Sequence, residues 1–362
     1  MGPDRRGERQ AALRRRLLDL GLDGILVTHG PNIRYLTGFT GSAGILLVTD
    51  ARTILITDFR YAEQAPAEAA DAAEIVIELS NLWVRLKRVL EPGPRLRVGI
   101  ERDRLTIRDA DRLSRLDVTE ATATSDVVEE LRAVKDDGEV EAIRAAGALA
   151  QDALAEVLAT VRPGQTELAI AARLELALRV RGSEWHPFET IVASGPRSAL
   201  PHARASQRPV GVGEWLLIDF GARLGGYCSD LTRTVLVGGK ADQRQREIYE
   251  IVARAQRTAL HGLRAGLSGR EGDALARDVI DAAGYGEAFG HSLGHGLGLE
   301  VHEGPRLSRV ASEALPAGAV VTVEPGIYLQ GWGGVRLEDD ILLTATGAQC
   351  LTDGRTDLLE LH

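Results

Sequence analysis

In the second half of this 362-residue chain, acidic side chains stand where strands normally bury apolar ones. WLLIDFGA puts Asp219 behind four apolar residues, and GYCSDLTRT follows with Asp230. AVVTVEPG carries Glu324 at its end, and GGVRLEDDILLT encloses Glu338. A carboxylate in a buried strand is costly unless it is paired, protonated or bound to a cation. One such residue is ordinarily a capped turn or an ion pair, but four in one domain call for a shared partner. Arg223, Arg233 and Arg336 are available counter-charges. Arg336 and Glu338 fall on one strand face by the two-residue period, which places one arginine, not four, at such a site.

The segment FGHSLGHGLGLEVHEGP, residues 289–305, adds His291, His295 and His302 among five glycines. His29, His186, His261 and His362 stand alone and read as ordinary core or surface residues. The HxxxH spacing would suit a helical zinc pair, but HSLGH lacks the second-position glutamate, and its glycines oppose a helix. Those glycines are expected to let the backbone approach a metal or substrate closely. The G-x-G elements lie outside any strand–turn–helix unit with a downstream acid, so no dinucleotide site is expected. Four carboxylates and one imidazole suit two divalent cations, whose +4 balances the acids' −4. Oxygen-rich ligation favours manganese, with iron, cobalt or zinc left open.

The pattern along the chain predicts two α/β domains, 1–126 and 127–362. In the first, strands are expected at 24–28, 44–49, 53–57, 74–79 and 97–101, with helices between or after them; TEATATSD, 119–126, reads as the link. In the second, a helix pair (139–161 and 166–180), strands, a second pair (243–264 and 271–283) and further strands hint at two similar halves. Apolar residues make up 44% and charged residues 26%, ordinary for a folded protein. No apolar run approaches the ~18–20 residues of a membrane span, and no apolar segment follows the basic N-terminus as in a signal peptide. A net charge of −9 argues against general nucleic-acid affinity. The two cysteines, Cys228 and Cys350, make no disulfide framework, so a reducing, cytoplasmic location is expected. Cys228 reads as a buried strand residue, and Trp332, on the turn 329–334, as a pocket wall.

With these motifs in hand, the chain resembles the pita-bread metallopeptidases: methionine aminopeptidase, aminopeptidase P and prolidase, with metal-free creatinase as a relative. PNIRYLTGFTGS and TDFRYAEQA are similar to the creatinase-type N-terminal domain. The VASG segment leading to His202, DFGA, YCSDLTRT, GHGLGLEVHE and VEPGIY followed by GVRLEDD match the catalytic domain in order. The resemblance implies a curved antiparallel sheet covered by two helix pairs. It implies that Asp219 chelates one metal, that Asp230 and Glu338 bridge both, and that His295 and Glu324 complete the second ion. His202, His291 and His302 would line the substrate side as hydrogen-bonding and proton-handling groups. Glu324 would also carry the proton toward the leaving nitrogen. Arg336 and Tyr328 would contact substrate or support the ligands.

The N-terminal domain points to the proline-specific branch. The compact chain favours Xaa-Pro dipeptidase (prolidase) over aminopeptidase P, which acts on longer peptides; a creatinase-like amidinohydrolase and a binding-only relative are the remaining alternatives. Residues 325–335 hold no arginine for a dipeptide's carboxylate. Residues 31–42 read as a turn-rich loop whose Arg34, Tyr35 and Phe39 suit a carboxylate and a proline ring. The implied assembly is a symmetric homodimer in which this loop closes the neighbouring pocket, and the implied partners are short proline-containing peptides.

Overall fold

The computed structural model describes residues 4–91, 93–117 and 119–362. The chain divides into two compact units, one ending at Arg132 and the next beginning at Ala133. No helix among the described residues is long and apolar enough to cross a membrane.

The N-terminal unit holds one six-stranded sheet, in the order Glu74–Glu78, Thr53–Asp58, Gly44–Thr49, Gly24–Val27, Leu96–Glu101 and Thr119–Thr124. The strands around Gly44–Thr49 pair antiparallel and the outer pairings are parallel. Leu26, Ile45, Leu47, Ile54 and Ile56 pack against Trp83, Leu86 and Leu90 of the helix Leu82–Leu90. Two expectations are corrected here. Residues 119–124 are an edge strand, not a link. Only Thr119 in it is buried, so no apolar alternation marks it, and β-branched threonines hold the extended backbone. Residues 31–42 are not a loop throughout: Gly30–Thr37 is a helix with Pro31 in its first turn, closed by Gly38 at φ 82°. Tyr35 and Phe39 are buried, the latter edge-on to Tyr61, so these aromatics build core. Arg34 lies half-buried on the same helix.

In the second unit, helix starts follow side-chain caps. Asp136 and Glu139 form a reciprocal capping box for Asp137–Leu158, and Thr166 caps Glu167–Val180. Asp242 with Gln245, and Ser268 with Glu271, start Gln243–Gly262 and Gly269–Ala282. The first pair covers Ile191–Ser194, Glu214–Phe220 and Leu231–Val237 through Ile170, Leu174, Leu216, Ile218 and Val235. The second pair covers strands Gly294–Gly296, Val320–Val323 and Asp339–Leu343 through Ile248, Val252, Ile280, Val321 and Ile341. In each half the second of these strands lies between the other two, antiparallel to both. The two-halves pattern is therefore real in three dimensions.

The sheet itself is built from a four-stranded and a five-stranded part with two short ribbons. The halves meet where Glu338 donates its N–H to Thr232 O (3.1 Å) and Arg233 Nη1 donates to Glu338 O (2.6 Å).

The glycines at 294 and 296 serve strand contact. A Cβ on Gly294 would lie 2.0 Å from Thr322 O, and one on Gly296 would lie 2.1 Å from Gly304 O. At these two positions the neighbouring backbone approaches closely, and Gly294 also borders a cavity. Trp332 is likewise not a pocket wall: it packs on the core of the second half beneath the Arg244 guanidinium, 4.8 Å from its ring.

Candidate active site

Corresponding positions in the two halves deliver the acids. Asp219 sits near the end of the middle strand of the first half, and Glu324 just beyond the middle strand of the second. Asp230 immediately precedes Leu231–Val237, and Glu338 immediately precedes Asp339–Leu343. All four open onto one cavity of about 630 Å³, together with His202, His291, His295 and His302. Ligand atoms of Asp230, His295 and Glu338 lie within 4.8 Å of one another. His295 Nδ1 is held by Gly296 O (3.0 Å), which leaves Nε2 facing Asp230 Oδ2 and Glu324 Oε1, each at 3.7 Å. Those separations exceed hydrogen-bond reach.

The electrostatics show what the cluster lacks. Burial, then the charges of Glu338 and Asp219, push the Asp230 carboxyl well above its ordinary range. Burial and Glu338 do the same to Glu324. Glu338 is pushed up to about 8 by burial and then Asp219, and Asp219 is raised by burial against the pull of Arg336. Burial also drives His291 and His295 down to about 4, so both imidazoles are neutral at pH 7. The Arg336 guanidinium pulls against burial at Asp219, Glu324 and Glu338 without offsetting it. Asp219 Oδ1 and Asp230 Oδ1 are buried without a hydrogen-bond partner. Neutral imidazole, crowded carboxylates and open buried oxygens are the donor set of a divalent-cation site.

Arg336 is occupied by protein. Nε donates to Thr232 Oγ1 (3.1 Å), Nη1 to the Tyr328 hydroxyl (2.8 Å), and Nη2 to Asp219 Oδ2. Tyr328 in turn meets His291 Nε2 at 2.9 Å, while His291 Nδ1 meets Ser292 O at 2.8 Å. Because a carbonyl only accepts, Nδ1 carries the proton and Tyr328 donates to Nε2. His302 stands edge-on to the His295 ring, 4.4 Å between centroids, and His202 faces solvent from the cavity wall. Arg34 belongs to the N-terminal unit.

Sequence reasoning missed the cavity's other cations. Arg306 lines it as the direct strand partner of His295. Arg204 lines it too and pairs with Glu189 at 3.2 Å, both well exposed. Only the register that sets EGPRL beside GHG marks Arg306, and that register follows from folding. Phe188 and Ile191 supply an apolar side.

Residues 141–345 match the family model of metallopeptidase family M24, and residues 9–134 match the creatinase/prolidase N-terminal domain. This chain belongs to family M24. It is 36% identical to the Xaa-Pro dipeptidase of Pyrococcus horikoshii, over 93% of this chain and 95% of that protein. The solved structure of an Xaa-Pro dipeptidase from Bacillus anthracis superposes with a TM-score of 0.94 at 42% identity, covering 98% of this chain and 100% of that one. An X-Pro aminopeptidase from Thermotoga maritima superposes at 0.89 with 38% identity, over 96% and 99%. The M24 chain is thus a metallopeptidase of the prolidase type, with a creatinase-type N-terminal domain and a pita-bread catalytic domain.

Proposed function

We propose that this M24 peptidase is an Xaa-Pro dipeptidase that works with two divalent cations, held by Asp219, Asp230, His295, Glu324 and Glu338. The observation that carries the reading is the crowd of buried, under-neutralised carboxylates around the neutral His295, two of them with open oxygens. When bound, the cations, manganese by the oxygen-rich set and otherwise cobalt, zinc or iron, supply Lewis acidity and a water acidified enough to attack at neutral pH.

The chain's own groups do the rest. Glu324 lies between His295 and His291, whose Nδ1 is 3.9 Å from its Oε2, and takes the proton of the attacking water. That proton must reach the leaving nitrogen, because the nitrogen of a prolyl peptide bond carries none before cleavage. His302 donates to the substrate carbonyl oxygen as negative charge develops on it, and His202, on the cavity wall, is placed to donate to the dipeptide's carboxylate. The chain Ser292–His291–Tyr328–Arg336 holds Asp219 in place. Phe188 and Ile191 take the proline ring.

Arg306 is the cation for the dipeptide's carboxylate that residues 325–335 lack. Arg34 is proposed to serve the cavity of a second subunit in a symmetric homodimer, and the location is proposed to be cytoplasmic. The second reading, an Xaa-Pro aminopeptidase on longer peptides, is favoured by the likeness to the Thermotoga maritima enzyme. Steady-state kinetics on Xaa-Pro against Xaa-Pro-Xaa, with the metal defined, separate the two. A higher kcat/KM for the dipeptide is expected, and the reverse order would overturn the dipeptidase reading.

A further inference from the structure

The stretch 289–293 has no regular secondary structure, yet it carries His291 and leads into the strand of His295. Its backbone is gripped from the helix Gly269–Ala282 by one buried ion pair. Arg277 meets Asp273 through Nε (2.5 Å) and Nη2 (2.8 Å), one helical turn apart. The same guanidinium donates from Nη1 to Phe289 O (2.9 Å) and from Nη2 to His291 O (2.7 Å), and it lies 4.1 Å over the Phe289 ring. Asp273 Oδ1 accepts the N–H of Leu293 at 3.0 Å. Alternate residues 289, 291 and 293 are thus all fixed to two side chains.

A buried ion pair is weak evidence for stability, because apolar residues of similar volume generally pack as well. What apolar residues cannot do here is satisfy three backbone groups of an irregular segment. The grip passes on to the site. Leu293 O accepts the N–H of Glu324 (2.8 Å), and His291 continues through Tyr328 and Arg336 to Asp219.

We propose that Asp273 and Arg277 are positioning residues of the peptidase site: they set the path of residues 289–293 and, through it, the places of His291 and Glu324. The kinetic part of the test rests on the peptidase reading above, whereas the backbone part does not. Arg277→Lys keeps the charge but loses the fork, so one ammonium cannot hold both carbonyls and the acid. It is expected to lower kcat by ~10-fold or more, the scale of losing a ligand's supporting partner, with KM within about threefold. Amide hydrogen exchange at Leu293 and Glu324 in the metal-free protein should accelerate, while the helix Gly269–Ala282 stays protected.

Ile280→Ala, a fully buried change on the same helix, is the control. It is expected to lower Tm but leave kcat and the exchange of Leu293 unchanged. Wild-type kcat and exchange in Arg277→Lys would overturn the proposal. So would an Ile280→Ala variant that loses kcat in the same proportion to its lost stability. Should Arg277→Lys not fold, Asp273→Asn, which keeps an oxygen for Leu293 N–H, carries the same expectations. Failure of both to fold would mark the pair as a folding determinant alone and overturn the positioning role. If the wild-type protein cleaved no Xaa-Pro bond, the exchange measurement would still decide.

Discussion

The two halves of the catalytic unit share a plan and differ in one strand. Each places an acid at the end of a middle strand and another just before the next, so Asp219 with Asp230 answers Glu324 with Glu338. The difference lies in the strand beside them. In the first half it is IVAS, wholly buried, and Ile191 pairs directly with Asp219. In the second it is GHG, which puts His295 among the acids. The first half therefore offers an apolar wall and two acids, of which Asp219 is held by Arg336, and the second supplies the imidazole. A repeated scaffold gives four carboxylates almost automatically, and the asymmetry of one strand decides where nitrogen enters.

The strongest break in this comparison is at Asp230, one of the two acids proposed to serve both cations. Asp230→Asn replaces a carboxylate with an uncharged amide in a buried site. Loss of measurable turnover and of bound metal is expected, by assay and by metal analysis of the purified protein. Near-normal turnover with two metals per chain would show that the first half's second acid is dispensable.

Next come the two histidines of the second half, whose rings touch. His295→Ala is expected to lose metal. His302→Ala is expected to keep it while kcat drops ~10²-fold, the scale of losing one donor to the developing oxyanion. The opposite pattern would exchange the roles of ligand and catalyst along this segment.

A smaller effect is expected at Arg306, across the strand from His295. A charged hydrogen bond to a carboxylate contributes about 1.5–3 kcal/mol, so Arg306→Ala should raise KM for Xaa-Pro by ~10-fold or more. The tripeptide, whose carboxylate lies one residue further on, should be affected less. Arg34→Ala gives the rival outcome: if it alone discriminates dipeptide from tripeptide, the carboxylate is held from the N-terminal unit of a second subunit.

Much of this site was legible before folding because its residues break local rules. Asp219 and Glu324 interrupt apolar runs, and three histidines crowd a glycine-rich stretch that cannot be a helix. Thr166 was equally plain as a helix start by residue type, whereas the last helix, expected from 271, begins at Gly269 behind the box of Ser268 and Glu271. Other features carried no local mark. Thr119–Thr124 is a strand because Leu96–Glu101 offers it an edge, and its outward side chains leave no alternation to read. Gly30–Thr37 hid behind turn-forming residues: Pro31 is acceptable in a first helical turn and Gly38 is a C-terminal cap, yet together they read as a loop. Arg306 became a wall residue, and Asp273 with Arg277 a clamp, only through register and packing between distant segments.

The finest comparison is between the caps of the second helix in each half. Thr166 accepts a single N–H, that of Ala169, at 3.1 Å. Ser268 accepts the N–H of Glu271 at 3.2 Å, while Glu271 reaches back to the Ser268 N–H at 2.7 Å. Losing either hydroxyl removes one bond to a helix N–H, worth about 1 kcal/mol. At Ser268 it also removes a donation to Glu271 Oε2 (2.8 Å), whose carboxylate remains free to bond the backbone. In Ser268→Ala, Glu271 still satisfies the backbone N–H, so half of the reciprocal arrangement survives. Both variants should unfold at lower denaturant concentration with unchanged m-values and with kcat within about twofold of wild type. Thr166→Ala should be the more damaging of the two. A larger loss in Ser268→Ala, or a fall in its kcat, would mean that the second half's helix start is coupled to the segment carrying His291 and His295 and is more than a local cap.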